Sequence, residues 1–131
     1  MLNRIYVVIS AELSTLNAAD NDGRSDDLLR RLNGRFDSSC VDEVQGCYKG
    51  TLERSFVVQC KDHSDVGAVH RFAKEFSQES ILLVDSRRTA FLLYVDSLKM
   101  ERLGHLYTQY DQPTTDAWTY NADSGTYFYV V

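Results

Sequence analysis

The sequence contains one clear β-hairpin, Gly46-Cys47-Tyr48-Lys49-Gly50-Thr51-Leu52-Glu53-Arg54-Ser55-Phe56-Val57-Val58-Gln59-Cys60-Lys61-Asp62. Gly50 supplies a tight turn, and Phe56-Val57-Val58 is an apolar, β-branched run of strand length. Tyr48 and Glu53 lie on opposite sides of the turn, so antiparallel pairing brings them close together. A phenol and a carboxylate that share a cleft can bind a cation or handle a proton. The same pair is also ordinary on an exposed hairpin, where charged side chains meet water.

Upstream of this hairpin, the pattern predicts a strand, a loop and a helix. Ile5–Ile9 is a continuous apolar strand that ends at the small residues Ser10 and Ala11. Residues 13–22 are polar and are interpreted as a loop. Ser25 then caps a helix with one apolar face, and the strand over 40–49 leads into the hairpin.

Downstream, a second helix and more strands follow. Ser64 is the predicted cap of that helix, and strands are expected over 81–84, 89–95 and 98–110, the last with a break at Gly104. The tail, residues 117–131, predicts a final hairpin.

The order β-α-β-β-α-β, followed by extra strands, predicts a ferredoxin-like α+β sandwich with two helices on one face of a mostly antiparallel sheet. No third helix is available for the other face of this sheet. A second copy of the chain is the expected cover, so a homo-oligomer is predicted.

Length and charge limit the function. The 131 residues suit a single domain. The net charge of −5 argues against a nucleic-acid partner, because no basic face is available to neutralise phosphates. It suits a cationic small ligand, although acidic proteins are also common for reasons of solubility.

Cysteine and histidine spacing give no sign of a metal site. Cys40, Cys47 and Cys60 lack the spacing of a disulfide framework or a thiolate site, and the three histidines are dispersed. We expect no metal and no cofactor. The N-terminal apolar run is too short for a signal peptide and no run approaches a membrane span, so a cytoplasmic protein with no membrane partner is expected.

Several short pieces occur together in an order that resembles a known family. They are Val8-Ile9-Ser10-Ala11, Gly46-Cys47-Tyr48-Lys49, Val57-Val58-Gln59-Cys60-Lys61-Asp62, Leu82-Leu83-Val84, Thr89-Ala90-Phe91-Leu92-Leu93-Tyr94 and Glu101-Arg102-Leu103-Gly104. In this set the chain resembles the phage S-adenosylmethionine-degrading enzymes, long called hydrolases and better described as lyases. The resemblance implies one S-adenosylmethionine lyase domain over 1–131, and a trimer with the substrate between subunits in the host cytoplasm.

The same resemblance implies catalytic roles for Tyr48 and Glu53. The turn is shorter here than in the family, so Glu43 is the alternative carboxylate. Ser10 and Ala11, at the end of the first strand, are candidates to let the amino-acid part of the substrate reach backbone donors. Ser86 and Thr89 are further candidates from a neighbouring turn.

The implied reaction needs few protein groups, since the substrate carboxylate can attack its own γ-carbon and expel methylthioadenosine, leaving homoserine lactone. The older hydrolase view makes Glu53 a base that activates water, giving homoserine. By resemblance, the role is a phage counter-defence against methyl-dependent restriction. Two rival interpretations stay open, namely a trimer that binds an adenosyl ligand without turnover and a protein that inhibits a host enzyme partner.

Overall fold

The computed structural model describes residues 4–131, which form eight strands and two helices. In chain order these are β1 (Ile5–Ser10), α1 (Ala18–Arg35), β2 (Val41–Tyr48), β3 (Thr51–Cys60), α2 (His63–Glu75), β4 (Ser80–Val84), β5 (Thr89–Tyr94), β6 (Met100–Gln109), β7 (Ala117–Asn121) and β8 (Thr126–Val130). A short 3₁₀ turn, Ser38–Cys40, joins α1 to β2.

The strands form a closed antiparallel barrel in the order β1-β3-β2-β7-β8-β6-β5-β4. The predicted ferredoxin-like sandwich with an open sheet is therefore wrong. Its edges would be β2 and β4, but β7 pairs with β2 from Gln45↔Tyr120 to Tyr48↔Ala117, and β5 pairs with β4. Closure gives hydrogen-bond partners to the backbone N–H and C=O groups that are unpaired at the edges of an open sheet. The sheet face that was expected to need a second copy is instead the inside of the barrel.

Both helices pack on the outside of the barrel against β1 and β3. Because side chains alternate along a strand, Val7 and Ile9 of β1 join Phe56 and Val58 of β3 on this side. The helices contribute a matching apolar face to the core, namely Leu28, Leu32, Phe36, Ala68, Val69, Ala73 and Phe76. The opposite faces of β1 and β3 are left for the barrel interior.

The helices begin at different residues from those predicted. Helix α1 starts at Ala18, where the Asn17 side chain accepts a hydrogen bond from the Asp20 amide at 2.8 Å, and Ser25 is buried inside the helix. The sequence pattern predicts a loop over residues 18–22 because this first turn has no apolar face. Asp62, and not Ser64, caps α2 by accepting from the Asp65 amide at 3.0 Å.

The strand predictions are confirmed to within a few residues at each end. The expected break at Gly104 is also confirmed, because the β5–β6 register shifts between Ala90 and Phe91, opposite this glycine. Gly104 has φ 146°, a conformation that side chains disfavour. Within residues 4–131, neither helix is both long and apolar enough to pass through a membrane.

Candidate active site

The β2–β3 hairpin places Tyr48 and Glu53 on the same face of the sheet. Glu53 is paired with Gly46, and Tyr48 is paired with Thr51, so Tyr48 and Glu53 are diagonal neighbours across the two strands. Both side chains line a cavity of about 1160 Å³ inside the barrel. Its size is that of the larger small-molecule pockets in proteins.

Glu53 lies in an environment that favours its neutral form. Partial burial raises the pKa of the Glu53 carboxyl, and the nearby Glu12 carboxylate raises it further by repulsion, whereas the Ser10 hydroxyl lowers it. Part of the side chain still meets solvent. A cation that entered beside Glu53 would stabilise the ionised carboxylate, so the site is suited to a positively charged ligand.

Hydrogen bonds between the ends of β1 and β3 fix this environment. The Ser10 hydroxyl donates to the Arg54 carbonyl at 3.2 Å and accepts from the Glu12 amide at 3.0 Å. The Glu12 carboxylate accepts from the Arg54 amide at 2.6 Å. A serine hydroxyl has a single proton, so Ser10 can lower the pKa of Glu53 by donating to its carboxylate, or donate to a ligand, only when it releases the Arg54 carbonyl.

Tyr48 lies at the mouth of the cavity with 61% of its surface exposed. The Lys49 ammonium lies 5.3 Å from the centre of its ring, a cation–π arrangement. Within residues 4–131, no hydrogen bond joins Tyr48 to Glu53. The two residues therefore face the cavity as independent groups, and the ring of Tyr48 is already positioned to hold a positive charge.

The other predicted binding residues divide into two sets. Ser10 and Ser86 line the same cavity as Tyr48 and Glu53. Ala11 does not; it is fully buried in the core under the helices, and its carbonyl accepts a hydrogen bond from Arg24 at 2.7 Å. Thr89 is also outside the cavity lining, and its amide donates to Asp85 at 2.9 Å.

Glu43, the alternative carboxylate, lies on the other side of the sheet. It is paired with Phe56, which is buried in the core under the helices, and it forms an ion pair with Arg54 at 3.0 Å. Asp26 of α1 binds the same guanidinium at 2.9 Å. Glu43 does not line the cavity. It belongs to the ion-pair network with Arg54 and Asp26 that links α1 to the sheet.

Sequence reasoning missed several cavity residues, including Gly46, Ser55, Gln59 and Tyr6. Alternation along β3 could have found two of them, because Glu53, Ser55, Val57 and Gln59 are spaced by two residues and share one face. Arg88 and Asp85 line the cavity from the β4–β5 turn. In the described part of the chain, no three His, Cys, Asp or Glu side chains are grouped as metal ligands would be.

The chain was compared with models of known protein families. The model of the S-Adenosylmethionine lyase family matches residues 7–131. This range includes the hairpin and nearly all of the barrel. No curated protein sequence matches the chain significantly.

Proposed function

The chain belongs to the S-adenosylmethionine lyase family, and from this we propose that it converts S-adenosylmethionine to methylthioadenosine and homoserine lactone. The family assigns the substrate and the type of enzyme; the products and the mechanism are our proposal. The observation that carries it is the position of Tyr48 and Glu53, which share one face of the β2–β3 hairpin in a cavity of about 1160 Å³.

The reaction takes place within one substrate molecule. An oxygen of the substrate carboxylate forms a bond to the γ-carbon of the methionine part, and the bond between this carbon and sulfur breaks. The electron pair of that bond goes to sulfur, so the sulfonium becomes the neutral thioether of methylthioadenosine. No water is consumed and no proton is transferred. The protein therefore gains most by holding a folded conformer in which the carboxylate lies in line with the breaking bond.

Glu53 supports this conformer through its charge. The ionised carboxylate attracts the sulfonium end of the substrate, and the cation in turn offsets the repulsion that Glu53 experiences from Glu12.

Tyr48 acts separately from Glu53 in this proposal. Its ring can hold the sulfonium by cation–π attraction, which is strongest when the cation has lost water. The Lys49 ammonium lies 5.3 Å from the centre of this ring, so a sulfonium bound on the same face would have to displace it. Ser10 and Ser86 are proposed to bind polar groups of the substrate, since both line the cavity.

A second reaction is favoured by one observation, the raised pKa of Glu53. A general base works best when its pKa is close to the working pH, and burial moves the Glu53 pKa in that direction. Glu53 would then activate a water that attacks the same γ-carbon, giving homoserine directly. This hydrolase reaction is the alternative that the experiment below distinguishes.

The assembly and biological role are proposals from the family resemblance. We propose that residues 1–131 work as one domain in a homotrimer, in the cytoplasm of a host cell, where removal of S-adenosylmethionine counteracts methyl-dependent restriction. Barrel closure removes the reason given above for an oligomer, but the exposed side chain of Leu52, on the outer face of the hairpin, offers an apolar contact to a second copy. Size-exclusion chromatography with light scattering tests the trimer, and co-purification from host lysate tests for an additional host enzyme partner.

Proton NMR of the purified protein with S-adenosylmethionine, followed from the first minutes, tests the reaction. The lyase gives homoserine lactone before homoserine, together with methylthioadenosine. Direct appearance of homoserine would replace the lyase with the hydrolase. An unchanged substrate that nevertheless binds would leave an adenosyl-binding protein without turnover.

A further inference from the structure

Strand β1 ends where side chains replace its pairing with β3. Ser10 is paired with Ser55 at the last step of the β1–β3 register. The next step would pair Ala11 with Arg54. Instead, the Arg54 carbonyl accepts from the Ser10 hydroxyl at 3.2 Å, and the Arg54 amide donates to the Glu12 carboxylate at 2.6 Å. The segment after β1 therefore needs other partners for its own backbone groups.

Two long polar side chains supply these partners. Arg24 of α1 donates from Nε to the Ala11 carbonyl at 2.7 Å. The side-chain amide of Gln78, which lies between α2 and β4, donates to the Glu12 carbonyl at 3.1 Å. Both side chains also donate to the Phe76 carbonyl at the end of α2. Arg24 and Gln78 therefore join α1, the end of α2 and the segment after β1 at one point.

This junction holds a second carboxylate beside Glu53. Two further steps of the β1–β3 register would place Glu12 opposite Glu53, and the Glu12 charge repels the Glu53 carboxylate. Glu12 is bound at its side chain by the Arg54 amide and at its carbonyl by Gln78, so it cannot turn away without breaking hydrogen bonds. Glu12 does not line the cavity, so it acts on a ligand through Glu53.

The other charges near Glu53 do not offset this repulsion. The β2 residue opposite Glu53 is Gly46, and the Arg54 guanidinium forms its ion pairs on the other face of the sheet. Among residues 4–131, Glu12 is the one charged group that shifts the pKa of Glu53, and the Ser10 hydroxyl acts in the opposite direction. The remaining charged residues of the cavity lining lie further along the barrel from Glu53: Arg4, Asp42, Asp85 and Arg88.

We infer that Arg24 and Gln78 are positioning residues of the site, which hold the Glu12 carboxylate beside Glu53. Through Glu12 they determine how readily Glu53 ionises, and thereby the pH range in which a cationic ligand meets a carboxylate. Arg24 does this from helix α1 without lining the cavity. The part of this role that concerns turnover rests on the proposed function, whereas the placement of Glu12 can be measured without turnover.

The test is a carbon-13 NMR titration of the Glu53 carboxyl carbon in the wild-type protein, Glu12→Gln, Arg24→Met and Gln78→Met, with Glu53→Gln to assign the signal. Both positioning variants release the segment after β1. The pKa of Glu53 should therefore fall toward its value in Glu12→Gln, by roughly half of that shift or more. Loss of the Arg24 charge by itself would raise this pKa, so the direction separates position from charge, and Gln78→Met changes no charge.

Arg31→Met is the matched control. Arg31 and Arg24 both belong to α1, and each guanidinium lies 5.5 Å from the centre of the Phe76 ring. Arg31 pairs with Glu75 and does not bind the segment after β1. Its replacement should lower the thermal midpoint, as replacement of Arg24 does, but should leave the pKa of Glu53 at the wild-type value. A shift of equal size in Arg31→Met would overturn the inference.

Activity distinguishes this inference from the proposed function. In a protein that degrades S-adenosylmethionine, the acid limb of kcat/KM should move to lower pH in Arg24→Met and Gln78→Met, together with the NMR titration. An unchanged Glu53 pKa in both folded variants would overturn the positioning role and leave the lyase in place. A lowered pKa in a protein without turnover would support the positioning role and overturn the lyase. If Arg24→Met did not fold, Gln78→Met would decide between these outcomes.

Discussion

Gly46 lies directly opposite Glu53 in the β2–β3 register, so the carboxylate faces a position without a side chain. A Cβ atom at Gly46 would lie 3.6 Å from the Glu53 carbonyl oxygen and 3.7 Å from the Ser55 hydroxyl, which is ordinary contact distance. The glycine is therefore not required by backbone geometry. Its absent side chain leaves room beside Glu53 at the point where a substrate would bind.

Gly46→Ala should fold normally and lose activity. Alanine in a strand is better than glycine by roughly 0.5 kcal/mol, so the thermal midpoint should be unchanged or slightly higher. The added methyl group should lower kcat/KM by about tenfold, and Gly46→Val by about 100-fold, because small displacements of a bound substrate have large effects on rate. Steady-state kinetics and calorimetry measure the two quantities. Full activity in a folded Gly46→Val would mean that the substrate does not bind beside Glu53.

The Glu53→Gln variant should unfold at a higher temperature than the wild-type protein, although it should be inactive. The folded-state pKa of Glu53 is raised, so the carboxyl loses its proton less readily in the folded protein than in the unfolded chain. Stability is then lost as the pH rises from the ordinary carboxyl pKa through the raised one. The variant should have the higher melting temperature near neutral pH, and this gain should disappear in acid, where the wild-type carboxyl is protonated too.

The activity of the same variant tests the catalytic pair. Removing the charge should lower kcat/KM by about 100-fold or more, because the sulfonium end of the substrate is no longer held in place, and Tyr48→Phe, which keeps the ring, should cost about tenfold or less. Glu43→Gln is the matched control, because Glu43 pairs with Arg54 outside the cavity. If Glu43→Gln lost activity and Glu53→Gln kept it, the catalytic carboxylate would be Glu43 and not Glu53.

Glu12→Gln should move the pH dependence of the enzyme. Glu12 raises the pKa of Glu53 by repulsion, while its own oxygen accepts a hydrogen bond from the Arg54 amide at 2.6 Å, which glutamine can retain. Without the Glu12 charge, Glu53 should ionise at lower pH. The acid limb of the kcat/KM profile should therefore shift to lower pH, whereas Glu43→Gln should leave it in place. If the profile did not move in Glu12→Gln, the acid limb would not be caused by the ionisation of Glu53.

Lys49→Met should improve binding of the cationic substrate. The Lys49 ammonium competes for the face of the Tyr48 ring, and its charge repels a sulfonium. Removal of this charge should lower KM by roughly two- to fivefold at low salt, with a smaller effect at high salt because of screening. Lys61→Met, the same change beyond the far end of β3, should not alter KM. A higher KM in Lys49→Met would instead indicate that Lys49 binds the substrate carboxylate.

Two glycine replacements should change stability in opposite directions. Gly104 has φ 146°, and a Cβ there would lie 2.4 Å from the Val131 carbonyl oxygen, so Gly104→Ala should cost about 1–3 kcal/mol of unfolding free energy. Gly23 is inside α1 with no atom within 4 Å of the added carbon, and Gly23→Ala should gain about 0.4–1 kcal/mol. Urea unfolding measures both. Equal changes of unfolding free energy in the two variants would mean that the positive φ and close packing of Gly104 do not require a glycine.

The local elements were predictable because their signals are local. Gly50 marks the turn, alternation marks β3, and together they predict that Tyr48 and Glu53 share a face, as the register shows. Barrel closure was not predictable, since it depends on β2 pairing with β7, strands that are distant in the sequence. The first turn of α1 was missed for a related reason. Its residues carry no apolar pattern, and only the side chain of Asn17 indicates where the helix starts.

The same closure has a consequence for how the protein folds. The pairing of β2 with β7 joins strands from opposite parts of the chain, and contacts of this kind form late because a long loop must close first. A nascent chain can build α1, α2 and the first four strands early, yet the wall formed by β6, β7 and β8 is still missing. The cavity, and with it any activity, therefore forms only after β8 has been synthesised and has paired with β6 and β7.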